Sequence, residues 1–475
     1  MEKQANSTDI TNLTYSLGFV MGEALTWVPA YFKKTTFPCP LYVNTNTKCS
    51  LVSQKGRVIA VLGELIHPDY AAMTQKDIAG LLMSNWDRRQ SEIDKLVGRF
   101  VIISKSENGS IDLQTDAIGL RALYFSNTEK GTIAGSHAKL VSQAANEGQF
   151  PEQLQRYSLG YPGINTKYAN VFRVPPNNSL SLNSGTLKRF FPLEPIPATT
   201  IEESWALALS RASQVIASLR ARTPVLVSLT AGLDSRTTLA ATRDIWDKLD
   251  FFTYTDGAVP QHKLDVRVAS DIAAVLKLKH QLVAYGKLTP ATEMMDTIRS
   301  NTFCSHQYVL SCAYNKQFGA HRYVHVRTNL MELGRSNLYD HYGKRPAFLE
   351  GPNSAKKMAQ FYSIAKTLSF TPAIHSAFIK NFEEADLATA LNFASPWDLY
   401  FVEHRMGAWQ AGVVAESDVA FDTIIAFNSR EIVKSFMGVP QEIRASSNHL
   451  RERLLELIPE IADIPINPPT YTRAH

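Results

Sequence analysis

The segment Val227-Ser228-Leu229-Thr230-Ala231-Gly232-Leu233-Asp234-Ser235-Arg236 limits the possible folds of this chain more than any other. It joins an apolar run, Val225 to Leu229, to a short turn of small residues and then to helical sequence from about Arg236. An apolar run of that kind suits a parallel strand covered on both faces. Small residues let the backbone come close to an anion, and the helix start beyond them presents unpaired N–H groups and a partial positive charge. The Asp234 carboxylate can hold Mg2+ against such an anion, while Thr230 and Ser235 add hydroxyl donors. The turn is not a Walker A loop, because no Gly-Lys-Ser/Thr follows it. The same pattern also fits a plain strand–helix turn in which Asp or Ser caps the helix.

The segment sits in the second half of a chain of 475 residues, long enough for two or three domains. The first half reads as β-rich. Arg57 to Gly63 is a candidate strand, and Gly98–Ser104 and Ile111–Asp116 flank the turn Glu107-Asn108-Gly109-Ser110, which predicts a β-hairpin. Leu123–Ser126 and Ser179–Leu182 are further strand candidates. Pro192, Pro195 and Pro197 then mark an extended linker, which places the boundary between domains 1–197 and 198–475. Beyond it, Ile201 to Arg220 has helical spacing. Phe251–Tyr254 and Arg322–Val326 read as strands, and Val268, Ile272, Val275 and Leu276 form one helical stripe. Strand–helix alternation predicts a mostly parallel sheet with helices on both sides, and from Ala355 onward the pattern is mainly helical.

Composition excludes several function classes. The 49 basic and 44 acidic side chains leave +5, about one charge per hundred residues, too little to argue for a nucleic-acid or membrane partner. Cys39, Cys49, Cys304 and Cys312 lack paired CxxC spacing, so neither a zinc site nor a disulfide scaffold is expected. The N-terminal residues lack the charge and apolar run of a signal peptide, and no run is long enough to span a bilayer. A soluble cytoplasmic protein is the expectation, with the Asn6 and Asn12 sequons arising by chance. The twelve histidines form no HExxH pair. Tyr400, Phe401 and Trp409 read as helical core, and His404 as a packed or surface histidine.

The loop from Leu229 to Ser235 resembles the Ser-Gly-Gly-x-Asp-Ser loop of the ATP pyrophosphatases, and in particular that of the asparagine synthetase family. Thr230 stands for Ser and Ala231 for Gly. Threonine keeps the hydroxyl, and alanine is tolerable where no positive φ is needed. Phe252-Thr253-Tyr254-Thr255, Asp265 and the helix through Ala269, Ile272 and Ala273 resemble the family's second strand, acid and helix. Arg327 to Arg335 occupies the place of its second acidic loop, where Glu332 would stand for the metal-binding Asp. Arg405–Trp409, Phe427–Arg430 and Leu450-Arg451 resemble its helical closing section. Gly98–Ile103, Thr115–Tyr124 and Ala134–Ser136 are similar to its glutaminase domain, a sandwich of the N-terminal-nucleophile (Ntn) hydrolase type.

The resemblance implies an α/β chain in which an Ntn-hydrolase-like α+β sandwich precedes a doubly wound parallel-sheet ATP pyrophosphatase domain with a helical C-terminal part. It implies ATP and Mg2+ as cofactors. Leu229 to Arg236, Tyr254 and Arg327 would bind the nucleotide, Asp234 and Glu332 the metal, and Asp234, Glu332 and Arg335 would carry the chemistry. The implied reaction adenylates a small-molecule or peptide carboxylate, releases pyrophosphate, and forms an amide with an amine donor. Glu2 stands where the family's glutaminases carry their nucleophilic Cys, so the amine is expected from solution or from the substrate, as in β-lactam synthetases and lasso-peptide cyclases. The family's closing lysine has no counterpart after Leu457-Ile458-Pro459. Arg473 is the fixed cation of that tail, and Lys434 is the candidate replacement. Two other readings stand beside the ligase: a nucleotide-binding member with a scaffold or regulatory role, and another ATP pyrophosphatase chemistry such as tRNA base activation. The even charge balance and the lack of CxxC pairs count against the last.

Overall fold

The computed structural model describes residues 10–146, 160–302, 307–335, 354–364 and 371–469. Glu2, Asn6, Cys304 and Arg473 lie outside the described residues.

In the first part of the chain, two six-stranded antiparallel sheets face each other. One runs, in spatial order, Val171–Arg173, Tyr124–Thr128, Gly131–Gly135, Phe19–Met21, Leu41–Val43, Lys33–Lys34. The other runs Thr186–Arg189, Asn178–Ser181, Ile111–Thr115, Val97–Lys105, Arg57–Ile66, Cys49–Gln54. The hairpin expected around Asn108-Gly109 forms, with Lys105 opposite Ile111. Period-two alternation sets the layers. Val58, Ala60 and Leu62 point between the sheets toward Phe19, Met21 and Leu41. Ile59, Val61 and Leu65 point outward onto Ile78, Ala79 and Leu82 of the helix Gln75–Ser84. The helix Ala138–Ala145 covers the outer face of the other sheet through Leu140, Val141 and Ala144. The layer order is therefore helix, sheet, sheet, helix.

The second part is built on a parallel sheet of β1 (Val225–Ser228), β2 (Asp250–Thr255), β3 (His280–Ala284), β4 (Val324–Arg327) and β5 (Asp422–Ile425), in spatial order β3-β2-β1-β4-β5. Helix α1 (Ile201–Arg220) begins at a capping box in which Thr200 accepts from the Glu203 N–H and Glu203 accepts from the Thr200 N–H. Its face of Trp205, Ala208, Ala212, Val215 and Leu219 packs with Val225 and Val227 on one side of the sheet. Leu226 and Phe252 face the opposite side, against Leu310, Tyr314 and Phe318 of the helix Tyr308–Phe318. Helices thus cover both faces, which explains why β1 is apolar throughout.

Three expectations shift. Helix α2 (Leu233–Ala241) starts at Leu233 rather than at Arg236. Helix α3 (Pro260–Leu276) buries Val268 and Ile272, but Val275, in its last turn, is 42% exposed. The section after Ala355 is mainly helical among the described residues, yet it contributes β5 at the sheet edge.

The two parts share a core. Ile66, Val97, Ile118 and Leu120 of the sandwich belong to the same buried cluster as α1 and β1. Beside them lies a buried ion network. Arg99 bonds both carboxylate oxygens of Asp418, with Nη2 2.8 Å from Oδ2, and reaches Asp422 Oδ1 at 3.2 Å. Arg121 Nη2 meets Asp422 Oδ2 at 2.9 Å. Asp116, from the Thr115–Tyr124 stretch, accepts the N–H groups of Leu120 and Arg121 at 2.8 Å each, and so shapes the turn that carries Arg121 into this network.

Candidate functional site

A chain that runs outward from β1 through β2 to β3 and then crosses to β4 reverses direction between β1 and β4. At the carboxyl ends of such strands, the two loops that leave in opposite directions open a crevice. One of these loops is Leu229 to Gly232, which follows β1. The other begins at Thr328 and leads into the 3-10 turn Asn329–Arg335. The hydroxyls of Thr238 on α2 and Thr328 hydrogen-bond and tie the two together.

The first loop is anchored at its base and knotted within itself. The Leu229 N–H donates to the Phe252 carbonyl at 2.8 Å, and Thr253 Oγ1 donates to the Leu229 carbonyl at 2.7 Å. Thr230 Oγ1 accepts from the Gly232 N–H at 3.2 Å and meets Ser235 Oγ at the same distance. Ser235 Oγ also accepts from the Thr230 N–H at 3.2 Å. The hydroxyl that Thr230 keeps is thus used to hold the turn. Ala231 is not among the residues with positive φ, and the Gly232 φ is −78°, so Ala in place of Gly introduces no backbone strain. Gly232 is the N-cap of α2, and no side chain caps that helix end. An end of this kind offers its first N–H groups to an anion.

Asp234, in the first turn of α2, faces Arg335: Nε lies 3.2 Å from Oδ1 and Nη2 3.2 Å from Oδ2. The second loop is thereby drawn onto the first. Glu332 faces a different arginine, with Arg405 Nε 3.8 Å from its Oε2. Arg405 comes from the π-helix Phe401–Gln410, where it also lies 4.7 Å from the Trp409 ring. The expected metal pair, Asp234 and Glu332, is thus split between two arginines. Among the described residues, no three metal-binding side chains come together.

Arg236 is directed to the C-terminal segment, donating from Nη1 to the Ile464 carbonyl at 2.8 Å and from Nη2 to the Pro465 carbonyl at 2.6 Å. That segment continues to Asn467, whose N–H donates to the Ala231 carbonyl at 3.1 Å. A Cβ added to Gly232 would come within 3.6 Å of the Asn467 side chain, so the tail runs along the loop. Tyr254, near the end of β2, is half-buried, its ring 5.5 Å from His262 and edge-on to it. Arg327 ends β4 at the mouth of the second loop. Lys434 lies in the last turn of the helix Arg430–Met437, a helix that packs on α1. Leu229 and Leu233 are buried in the shared core and position the loop through packing.

Asp265 and Arg405, marked in the sequence only as parts of segments that resemble the family, and Asn467, which nothing in the sequence marks, also belong to this site. Asp265 of α3 accepts the Ala231 N–H at 2.9 Å. Burial raises its pKa above the ordinary carboxylate value, with that N–H pulling the other way. Asp265 therefore supplies the loop's own acceptor for an amide.

No protein-family model and no curated protein matches the chain. Solved structures similar to it include two enzymes of related description. One is described as the allosteric regulatory enzyme of purine biosynthesis, with 10% identity over 67% of this chain and 71% of that one, at a TM-score of 0.25. The other is the glutamine phosphoribosylpyrophosphate amidotransferase of B. subtilis complexed with ADP and GMP, with 11% identity over 68% and 71% and a TM-score of 0.24. At these TM-scores neither bears on fold or activity, and the fold description rests on strand order and packing. Together, fold and site define a mixed α/β protein: a double antiparallel sandwich joined to a parallel sheet, with a small-residue loop at the point where the strand order reverses. No helix among the described residues is long and apolar enough to cross a membrane.

Proposed function

We propose that the protein is an ATP-dependent amide-forming ligase of the asparagine synthetase type, with a glutaminase-like sandwich ahead of an ATP pyrophosphatase domain. The observation that carries this reading is the uncapped start of α2 behind Thr230–Gly232, set at the reversal point of the parallel sheet with Asp234 and Arg335 converging on it.

In this reading the pyrophosphate of ATP rests on the first N–H groups of α2, and Tyr254 lines the nucleoside. Arg335 turns from Asp234 to the departing pyrophosphate, where a guanidinium binds two oxygens at once. Charge that builds on the leaving group meets donors already in place, which is the main source of rate in such a step. The substrate carboxylate attacks the α-phosphorus, pyrophosphate leaves, and an amine then displaces AMP to form the amide. Magnesium, when bound at such a loop, would neutralise phosphate charge. Two carboxylates already paired to arginines do not fit a divalent ion without losing those pairs. The buried network of Arg99, Arg121, Asp418 and Asp422 stands between the sandwich and the parallel sheet, which favours an amine taken from solution or from the substrate.

The test is exchange of labelled pyrophosphate into ATP in the presence of pooled carboxylic acids. Acid-dependent exchange is expected, and failure to bind ATP at millimolar concentration would refute the reading. A second reading, a nucleotide-binding member that does not synthesise, is favoured by the arginine pairing of both acids and by the tail along the loop. It predicts ATP binding by calorimetry with no exchange for any acid.

A further inference from the structure

A cavity of about 570 Å3 lies between the sandwich and the second part of the chain, and none of the residues 229–236 lines it. Its walls come from the start of the helix Ala138–Ala145, from residues 161–168, from Tyr285 just after β3, and from the helices Thr292–Asn301 and Tyr308–Phe318. Lys139, Lys167 and Arg299 line it, and none of its described lining residues is acidic. Arg299 pairs with Asp296 at 2.9 Å. Neither lysine has such a partner among the described residues. Lys139 Nζ bonds the Ser300 hydroxyl at 3.0 Å, Lys167 Nζ lies 6.0 Å from the Tyr168 ring centroid, and neither has a carboxylate within ion-pair distance among the described residues.

Three unfavourable effects converge on Lys139. It sits in the first turn of a helix, where the macrodipole opposes a cation. Burial lowers its pKa below the ordinary lysine value, the nearby Lys167 charge lowers it further, and Asp296 offsets only part of this. Like charges are held together in this way at sites where an anion completes the arrangement. The remaining wall is aromatic: Tyr168, Tyr285 and Tyr308 line the cavity, and its volume falls in the range of small-molecule sites.

We propose that this cavity binds a small anion carrying a planar ring, its phosphate or carboxylate held between Lys139 and Lys167 and its ring against the tyrosines. The site is independent of the phosphate-binding reading of the Gly232 loop and does not rest on it.

The probes are phenyl phosphate, benzoate and neutral benzamide, titrated into the full chain by calorimetry. Acylation of Lys139 and Lys167 by an acetyl ester is followed in parallel by peptide mass spectrometry. Phenyl phosphate or benzoate should bind and shield both lysines at least several-fold from acylation, and benzamide should do neither. Phosphate winning over benzoate points to a phosphate ester, and the reverse to a carboxylate. Lys167→Met and the double variant Lys139→Met/Lys167→Met should raise the Kd tenfold or more, while Asp234→Asn leaves it unchanged. Should the double variant misfold, Lys167→Met together with the shielding of Lys139 decides. The proposal is overturned if neither anion binds at millimolar concentration, if Lys167→Met binds as the parent does, or if Asp234→Asn abolishes binding.

Discussion

The guanidinium of Arg335 lies along the carboxylate of Asp234, with one nitrogen 3.2 Å from each oxygen. This pair closes the crevice between the loops that follow β1 and β4, so either partner can be removed to ask whether the crevice is a site. If Arg335 meets the leaving pyrophosphate, Arg335→Met should lower the rate of pyrophosphate release by about 10²-fold or more, the usual effect of deleting one preorganised donor. Steady-state kinetics should place the loss in kcat more than in KM for ATP.

The ion network between the sandwich and the parallel sheet makes a separate prediction. Burial opposes the Arg99 charge, but Asp418 and Asp422 outweigh it and hold the guanidinium above its ordinary pKa. Asp418→Ala would leave that buried cation without its two-point partner, and should destabilise the fold by about 3–5 kcal/mol. Arg99→Met/Asp418→Leu, which removes both charges, should recover much of the loss. Urea denaturation of the two variants beside the parent checks this.

Close packing between the two parts can be probed at Gly407. A Cβ there would meet Pro176 Cγ at 2.8 Å and the Ile118 carbonyl oxygen at 3.0 Å, both from the sandwich. Gly407→Ala should therefore lower stability by about 1–3 kcal/mol, the usual penalty of overpacking. A denaturation midpoint equal to the parent's would show that the interface gives way easily.

Buried histidines set the acid limit. Burial, with Arg121 and Arg99 adding to it, pushes the His137 pKa down to about 3. Burial and Arg173 bring His404 to about 3, and burial brings His321 to about 4. These groups are neutral when folded and titrate near 6.5 when unfolded. Their stabilisation is complete above about pH 6.5 and is lost as pH falls from there toward 3, because the unfolded chain binds the protons. At pH 5, unfolding should take up about three protons from these sites. Denaturation midpoints at pH 7.5 and 5.0 report the slope, and His404→Gln should flatten it by about one proton.

Local patterns were legible in the sequence, and distant contacts were not. The sandwich hairpin shows in the alternation of Ile111 to Asp116 beside the Asn108-Gly109 turn, and α1 in its 3.6-residue spacing, because a segment with one face toward the core carries a periodic trace. β5 left none: it has four residues, is largely buried and lies among helices, so its run Asp422–Ile425 looks like a helix interior. The early start of α2 was hidden because Gly232 caps it without a side chain. The loop itself could be read, but its surroundings could not. Arg335 reaches Asp234 across 101 residues, Arg236 reaches Ile464 across 228, and Arg99 reaches Asp418 across 319. Only the fold pairs such residues, and their charges look like an ordinary solvated surface when read along the chain.

Pyrophosphate release from ATP, measured with a panel of carboxylates for the parent chain and for Asp234→Asn at matched thermal stability, is the most direct check on the role given to the Gly232 loop. Release should depend on one class of acid and fall by at least about 10²-fold in the variant, since Asp234 positions Arg335 at the crevice. A variant that releases pyrophosphate as fast as the parent would show that this crevice is not where the chemistry happens.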